Sequence, residues 1–522
     1  MENYSMKNLP LSLLKNWYTL TLFLLAAFVL LWGLKGGSLE DFDEAIYAQI
    51  SKEIVEDGNW LTLHWGYKPY LEKPPVFMWS TAILFHFFGV NEFWARAASA
   101  FSGIGLAILT YFIGQFVYDK QIGYWAGLIL LTSNQFVASA RFGTTDIMLT
   151  SFIFLAIYAY LRLEEGAQKW WYVIWIACAL AFMVKSVAAL IAPLAIALSL
   201  LLDKCLITSI RSRHFWQGAL LAFVMVVPWH IFMYLQHGQA FIDQYFGYSI
   251  ITRAAGSLEG HTGDRFYYID RLQKYFFPWV YLAPFALALN LRENIKFKSR
   301  SRILLIVTIL VFGLYTVAQT KLRWYIVPMY PALVILVASM VIQGFRSYTS
   351  VAFGSLVVAT FIVTLLAPIK IALIVGGASL LIGLSALVIT KRLPYQLTAI
   401  VMCTFLFMVG LNTLRPIYSK GETPVARIAR FAGSQNPNGQ QPLIVFEGLY
   451  QPTPLFYSNR PIQVAWTLQT LAEFTSIYQT KEIILAKKDL KSLSTAYETE
   501  VVIEVKPFVY ATIKPKASPL QK

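Results

Sequence analysis

Two charged pairs flank the loop that follows the first strongly apolar segment. Asp43 and Glu44 stand near its start, and Glu72 and Lys73 stand near its end. A carboxylate at the membrane–water boundary can take a proton from an attacking hydroxyl group. An acidic residue before a helix can equally serve as its N-cap, so both interpretations of Asp43 stay open. Asp41, just before the pair, is interpreted as a solvated loop charge.

Lys73 precedes Pro74 and Pro75, and Pro75 suits the first turn of a following helix. Free backbone N–H groups at a helix N-terminus and a nearby cation together favour an anion. A phosphate group at the bilayer surface is the natural ligand. The alternative is a snorkelling lysine that only fixes the end of the helix.

Four further charged or aromatic residues stand in or beside apolar segments. Asp146 begins one segment and is either a helix cap or a functional acid. Lys185 interrupts a strongly apolar region, where an unpaired ammonium is costly, so it needs a carboxylate, a carbonyl or water. Lys321 and Tyr325 stand at the outer end of two apolar segments.

A polar stretch at residues 236–274 carries Arg253 and His261. An arginine there can clamp a phosphate group. His261 could ligate a divalent metal together with Glu72, although a lone loop histidine is more often simply solvated. The sequence therefore does not decide whether these two residues bind a metal.

The composition predicts an all-α polytopic membrane protein. Of 522 residues, 57% are hydrophobic and only 14% are charged, against roughly 25% charged residues in soluble domains. Apolar runs recur from Trp17 to Asn412 and predict about thirteen transmembrane helices. The net charge is +15, but the basic residues fall in short loops rather than on one patch, which argues against nucleic acid as a partner.

The distribution of Lys and Arg predicts the orientation, because basic loops remain cytoplasmic. With an odd number of spans, the first loop, Asp146, the loop 236–274, the turn at Lys321–Tyr325 and the C-terminal tail all fall outside the cytoplasm. We expect a transmembrane domain at residues 1–412, with external loops at 35–92 and 236–274. The tail, 413–522, contains β-rich runs and a helical stretch at Leu468–Gln479, and predicts a small α/β extracytoplasmic domain.

Within the first external loop, the residues after Asp43 have helical spacing. Ile46, Ile50 and Ile54 recur every fourth position, and Gly58 would end the helix. A helix with one apolar stripe is expected to lie flat on the membrane surface.

Six stretches, in order, resemble the GT-C glycosyltransferases that use polyprenyl-phosphate sugars. They are DEAIYAQISKEIVEDGNWLT, YLEKPPVFMW, TTDIML, MVKS, GHTGDRFYY and KLRWYIVPMYP. They are similar to those of the aminoarabinose–lipid A transferases and protein mannosyltransferases. The resemblance implies that Asp43 is the catalytic carboxylate, that Lys73 contacts the lipid phosphate and that Glu72 is associated with a metal. It also matches Asp146 and Tyr325 to family positions.

The resemblance implies an inverting, single-displacement transfer of a sugar from a polyprenyl-phosphate donor to a lipid, glycan or protein acceptor. The reaction would occur on the outer face of a membrane, such as the bacterial inner membrane, among membrane lipids. The catalytic candidates are Asp43, Glu44 and Asp146. The donor-binding candidates are Lys73, Arg253, Tyr325, Lys321 and Lys185. The metal candidates are Glu72 and His261.

The alternative is a lipid or sugar transporter or flippase. In such a protein charged residues would mark a path through the bilayer, whereas here only Lys185 stands at depth.

Overall fold

Helices make up most of the described chain before residue 348. The computed structural model describes residues 17–252, 263–277, 279–296, 300–347, 421–436, 441–446 and 452–516. The α-helices of this part are Trp17–Leu31, Asp43–Asp57, Val76–Phe88, Glu92–Val117, Lys120–Thr132, Asn134–Ala140, Thr145–Leu163, Trp170–Lys185, Ile191–Leu202, Leu206–Ile210, Arg213–His237, Gln239–Phe241, Tyr267–Tyr275, Ala283–Lys296, Arg302–Val317 and Tyr330–Ser347. Short 3₁₀ helices lie at Ser186–Leu190, Trp279–Tyr281 and Arg323–Met329, and a π-helix lies at Ile242–Thr252.

Five segments of the described chain are long and apolar enough to cross a membrane. They are Glu92–Val117, Thr145–Leu163, Trp170–Leu202, Arg213–His237 and Arg323–Gln343. Three shorter apolar helices accompany them, at Trp17–Leu31, Val76–Phe88 and Arg302–Val317. The mostly helical character is therefore confirmed, and these segments are candidate membrane spans. The number of about thirteen spans stays a prediction, and those expected between residues 351 and 412 lie outside the described residues.

The helix Asp43–Asp57, here called the acidic helix, begins without a side-chain cap. Its N-cap residue is Phe42, with φ 67° and ψ −129°, so Asp43 is the first helical residue and not the cap. The predicted end at Gly58 is confirmed: Gly58 has φ 69°, and its N–H donates to the carbonyl oxygen of Ile54.

The acidic helix is enclosed on most sides, so the prediction of a helix with only one covered face is wrong, whereas its placement at the membrane surface stays a prediction. Ten of its fifteen residues are buried, including the charged residues Glu44, Lys52 and Glu53. Ala45 and Ala48 pack against Phe85 and Phe456. The helix is an interior element of its compact unit.

The C-terminal segment forms a mixed five-stranded sheet. Its strands are β3 (Leu443–Phe446), β4 (Ile462–Ala465), β5 (Glu482–Ala486), β6 (Tyr497–Val505) and β7 (Phe508–Pro515), in the order β4-β3-β5-β7-β6. Strand β3 pairs in parallel with β4 and β5, and β7 pairs antiparallel with β5 and β6. The remaining small strands, β1 (His64–Trp65) and β2 (Lys68–Pro69), form a hairpin in the first loop.

The helices of this segment are Pro424–Gln435, Thr453–Ser458, Leu468–Tyr478 and Leu490–Leu493, with a 3₁₀ turn at Lys487–Asp489. Val445 and Ile484 face the first of these helices, whereas Ile444 and Ile483 face Leu471 on the opposite side of the sheet. Because alternate strand residues point to opposite faces, both faces are covered. The predicted small α/β domain is confirmed, and β4 is the strand that the sequence analysis missed.

The chain forms two compact units that do not follow its linear order. One unit contains residues 1–32, 99–141 and 145–418, and is called the helical unit below. The other contains residues 33–98, 142–144 and 419–522, and is called the mixed unit. The first external loop therefore groups with the C-terminal segment. The predicted domain division at residue 412 stays a prediction.

Candidate active site

Asp43 and Lys73 are brought together in the mixed unit through a tyrosine. The hydroxyl of Tyr47 donates to Asp43 Oδ1 over 3.0 Å, and Lys73 Nζ donates to the same hydroxyl. The ammonium lies 3.9 Å from Asp43 Oδ1. The Asp43 side chain is 35% exposed and that of Lys73 is 13% exposed. The arrangement is a carboxylate and a cation, both reachable from outside, held at fixed separation.

Tyr47 is a functional candidate that the sequence analysis missed. It is 1% exposed, and its ring centroid lies 4.9 Å from Lys73 Nζ, within cation–π range. The ring also packs edge-on against Phe77. Its position four residues after Asp43 was the available signal, because residues at i and i+4 are neighbours on one helix face.

Glu44, by contrast, is buried as an anchor. Its Oε1 accepts from Arg96 Nε over 2.8 Å and from the Gly143 N–H over 3.0 Å, and its Oε2 accepts from the Glu40 N–H over 2.7 Å. Glu44 is 1% exposed. These contacts account for the burial of Glu44, and a catalytic role for it stays a prediction.

Arg96 extends this anchor to the chain before the acidic helix. Besides Glu44, its guanidinium donates to the carbonyl oxygens of Leu34, Gly36 and Ser38, over 3.0, 2.9 and 2.8 Å. A planar guanidinium with five donors suits such a set of acceptors. Arg96 therefore fixes the approach of the chain to Asp43.

The interpretation of Asp41 as a solvated charge is wrong. Its Oδ1 accepts from the Thr453 N–H over 3.1 Å and from the Thr453 hydroxyl. Burial raises the pKa of Asp41, partly offset by these two hydrogen bonds. Asp41 satisfies the first N–H group of the helix Thr453–Ser458, one of those that a helix leaves without an internal partner.

Tyr457 reinforces the same contact within the mixed unit. Its hydroxyl accepts from the Leu39 N–H over 2.7 Å and donates to Glu92 Oε1 over 3.2 Å. Arg430 pairs with Glu92, and its guanidinium lies 4.3 Å from the Tyr457 ring centroid. The C-terminal segment therefore contacts both ends of the stretch that carries Asp43 and Lys73.

A second charged cluster lies in the helical unit. Lys185 Nζ donates to Asp146 Oδ1 over 2.6 Å, which confirms that the lysine has a carboxylate partner. Asp146 lies in the first turn of its helix, Thr145–Leu163, rather than at the cap. The ammonium of Lys185 lies 5.5 Å from the ring centroid of Tyr325, and that ring lies 5.0 Å from the ring of Tyr315.

Lys321 caps a helix. Its Nζ donates to the carbonyl oxygens of Thr316, Ala318 and Tyr315, over 2.8, 3.0 and 3.4 Å. These carbonyl groups end the helix Arg302–Val317, where a cation is favourable. An ammonium group has three protons to donate, so this capping role explains Lys321 without a phosphate ligand.

The remaining predicted residues give no metal site in the described structure. Arg253 and His261 lie outside the described residues, and Glu72 is half-buried. In the described part of the chain, no group of three or more His, Cys, Asp and Glu side chains is placed to hold a metal ion. The described residues alone therefore do not fit a divalent metal, and the site at Glu72 and His261 stays a prediction.

Comparison with known proteins finds similar sequences among glycosyltransferases. The family described as dolichyl-phosphate-mannose-protein mannosyltransferase matches residues 72–232. An undecaprenyl phosphate-alpha-4-amino-4-deoxy-L-arabinose arabinosyl transferase of Shewanella sediminis is 29% identical over 334 residues, which cover 62% of this chain and 60% of that protein. The match thus spans less than two thirds of this relative.

Solved structures of two proteins are similar to almost the whole chain. ArnT from Cupriavidus metallidurans, bound to undecaprenyl phosphate, matches with a TM-score of 0.70 and 19% identity, covering 95% of this chain and 97% of that one. The archaeal oligosaccharyltransferase AglB from Archaeoglobus fulgidus matches with a TM-score of 0.53 and 12% identity, covering 97% and 75%.

Proposed function

We propose, from the GT-C fold that this chain adopts, that it is a membrane glycosyltransferase acting on a polyprenyl-phosphate sugar. The observation that carries the proposal is the Asp43–Tyr47–Lys73 cluster, in which a base and a phosphate-binding cation share one hydroxyl. The acceptor is a lipid, a glycan or a protein. The site faces outward from a membrane, with the bacterial inner membrane as the expected location.

The reaction is a single displacement at the anomeric carbon of the sugar. Asp43 accepts the proton of an acceptor hydroxyl group as its oxygen forms a bond to that carbon. The bond from the anomeric carbon to the phosphate oxygen breaks on the opposite face, which inverts the configuration. Polyprenyl phosphate leaves as an anion, so it requires electrostatic stabilisation rather than protonation.

Lys73 provides this stabilisation in the proposal. Its side chain is 13% exposed, and the residue stands just before the helix Val76–Phe88. The ammonium donates to the Tyr47 hydroxyl and forms a long ion pair with Asp43, at 3.9 Å. No step requires a metal.

Lys185, Tyr325 and Asp146 form a second donor-binding group in the proposal. The Asp146 carboxylate neutralises and orients Lys185, and the Tyr325 ring lies beside the ammonium. A lysine oriented in this way can bind a phosphate oxygen as a point charge. Arg253 remains a further phosphate-binding candidate.

The substitution Asp43→Asn tests the assignment, because the amide oxygen can still accept from Tyr47 while the base is lost. We expect the rate of sugar transfer from a radiolabelled undecaprenyl-phosphate sugar to fall by roughly 10²–10⁴-fold. The matched control is Asp41→Asn, which removes a nearby charge but keeps an acceptor for Thr453 and should leave the rate within a few-fold. A near wild-type rate for Asp43→Asn would sink the proposal.

The same assay separates a transferase from a flippase. Transfer by the purified protein in detergent, without a sealed membrane, is the expected result. Movement of the lipid-linked sugar across sealed vesicles without any transfer would instead support the flippase.

A further inference from the structure

A chain of three hydrogen-bonded side chains begins at the residue after Lys185. Ser186 Oγ donates to the Tyr245 hydroxyl over 2.9 Å, and that hydroxyl lies 2.9 Å from His230 Nε2. His230 Nδ1 lies 2.8 Å from the carbonyl oxygen of Val226. Tyr245 is completely buried. The chemistry proposed above uses none of these residues.

The carbonyl oxygen of Val226, at the end of this hydrogen-bonded network, fixes the direction of every hydrogen bond in it. The carbonyl group of Val226 can only accept, so the proton of a neutral His230 ring must be on Nδ1. Nε2 then accepts from the Tyr245 hydroxyl, whose oxygen accepts from Ser186. Each polar atom therefore meets a complementary partner, which is what a rigid buried network requires.

The network begins at a residue whose backbone conformation is rare for serine. Ser186 has φ 36° and ψ −123°, and it ends the helix Trp170–Lys185. A 3₁₀ helix, Ser186–Leu190, follows in a new direction. Non-glycine residues at positive φ are uncommon and persist where the surroundings impose them. Here the Tyr245 hydroxyl is the contact that restrains the Ser186 side chain.

We propose that Ser186, Tyr245 and His230 are positioning residues for Lys185. They fix the helix end, so that the ammonium stays 2.6 Å from Asp146 Oδ1 and 5.5 Å from the Tyr325 ring centroid. A lysine has a long, flexible side chain, so its ammonium is placed accurately only if its backbone is held. This inference rests on the proposed role of Lys185 in binding the donor phosphate.

The substitution Tyr245→Phe tests the inference, since the ring can keep its packing against Phe241 while the hydroxyl is lost. We expect kcat/KM for the lipid-linked sugar to fall roughly ten- to hundred-fold, the scale of a small misplacement of a binding group. In a Lys185→Met background, the same substitution should cause no further loss, because coupled residues are not additive. Equal losses in both backgrounds would overturn the inference.

Ser186→Gly separates positioning from folding. Glycine adopts φ 36° without strain, so the midpoint of thermal unfolding should stay the same or rise. The donor to Tyr245 is nevertheless lost, and kcat/KM should fall. Wild-type kcat/KM in Ser186→Gly would contradict the inference.

Tyr160→Phe is the matched control. It removes another buried tyrosine hydroxyl, one that contacts Ser199 and Glu164, on the helix that also carries Asp146. Tyr160 is about 21 Å from Asp146 along the helix axis, so kcat/KM should change less than about two-fold. Failure of the proposed function has a different signature, in which Asp43→Asn leaves transfer unchanged whatever the Tyr245 variants do.

Discussion

At the scale of single residues, Tyr47 holds the predicted carboxylate, Asp43, and the predicted cation, Lys73, in position relative to each other. Lys73 and Asp43 form an ion pair at 3.9 Å, and both groups are also hydrogen-bonded to the Tyr47 hydroxyl. The hydroxyl donates to the carboxylate and accepts from the ammonium, so both groups stay oriented at 3.9 Å. Tyr47 is thus a positioning residue for both groups.

Tyr47→Phe should therefore reduce sugar transfer while the protein stays folded. We expect kcat/KM to fall by roughly ten-fold or more, because misplaced groups lose catalytic effect before they lose binding. The midpoint of thermal unfolding should change little, since the ring keeps its contact with Phe77. Tyr67→Phe is the control, because Tyr67 is 44% exposed in the same unit. Unchanged kcat/KM in Tyr47→Phe would contradict this role.

The raised pKa of Glu53 predicts that the stability of the folded protein depends on pH. Burial raises its pKa, although the Gln49 side chain and the N–H groups of Gly66 and Tyr67 donate to it. The folded state therefore binds a proton at a higher pH than the unfolded state. The contribution of Glu53 to stability is fully present below its unfolded pKa and is lost as pH rises through its folded pKa.

Glu53→Gln should remove this slope. Thermal unfolding measured in steps from pH 4 to pH 7 should show a smaller decline with rising pH in the variant than in the wild type. The exposed Glu498→Gln, on β6, should leave the wild-type slope intact. Identical slopes in wild type and Glu53→Gln would show that another group is responsible.

At the scale of elements, the acidic helix depends on a remote arginine rather than on a cap. Its N-cap residue, Phe42, makes no side-chain capping bond. Instead Glu44, in the first turn, pairs with Arg96, and Arg96 holds the carbonyl groups that precede the helix. The helix start is thereby tied to the beginning of the next long helix.

Arg96→Met should destabilise the mixed unit strongly, because it leaves the Glu44 carboxylate buried without its cation. Removing one partner of a buried ion pair costs about 3–5 kcal/mol. The unfolding midpoint in detergent should fall clearly, and the double variant Glu44→Gln with Arg96→Met should recover part of the loss. Equal midpoints for Arg96→Met and wild type would contradict the anchoring role.

At the scale of the whole molecule, the mixed unit is assembled from distant parts of the sequence. The first loop and the C-terminal segment share a hydrophobic cluster in which Phe456 packs with Leu39 and Phe85. Two hydrogen bonds, Asp41 with Thr453 and Tyr457 with Leu39, also join the loop to the C-terminal segment. The C-terminal segment is thus part of the structure that supports Asp43.

Deletion of residues 419–522 should therefore abolish sugar transfer, even though it removes no residue of the proposed chemistry. The deletion exposes the cluster around Phe85 and leaves Asp41 and the Leu39 N–H without their partners. Limited proteolysis should cleave the truncated protein within residues 33–98 faster than the intact one. Lys491→Ala, in the C-terminal segment, serves as the control for a local change. Sustained transfer by the truncated protein would show that the loop is stable alone.

Patterns of a few neighbouring residues predicted the helices and strands that such patterns determine. The spacing of isoleucines and Gly58 gave the acidic helix and its end, and β-rich runs gave four of the five strands in the C-terminal sheet. An isolated ammonium is costly in an apolar segment, so a partner for Lys185 was predicted, and the ion pair with Asp146 confirms it. In each case the physical constraint acts over a few neighbouring residues.

Two of the unforeseen contacts join residues that are distant in the sequence. Glu44 and Arg96 are 52 positions apart, and Asp41 and Thr453 are 412 positions apart. No periodicity links such pairs, so Asp41 and Glu44 resembled ordinary loop charges or possible bases. The candidate chemistry at Asp43 and Lys73 could be recognised from motifs, whereas its supporting contacts required the three-dimensional structure.

The pairing of Asp41 with Thr453 also has a consequence for biosynthesis. A ribosome adding about 5–20 residues per second produces Thr453 roughly 20–80 seconds after Asp41. During that interval the loop around Asp43 has already left the ribosome but lacks the segment that completes its core. A nascent or prematurely terminated chain is therefore a target for proteases and chaperones at this loop. Catalytic competence would then appear only once synthesis has passed the C-terminal sheet.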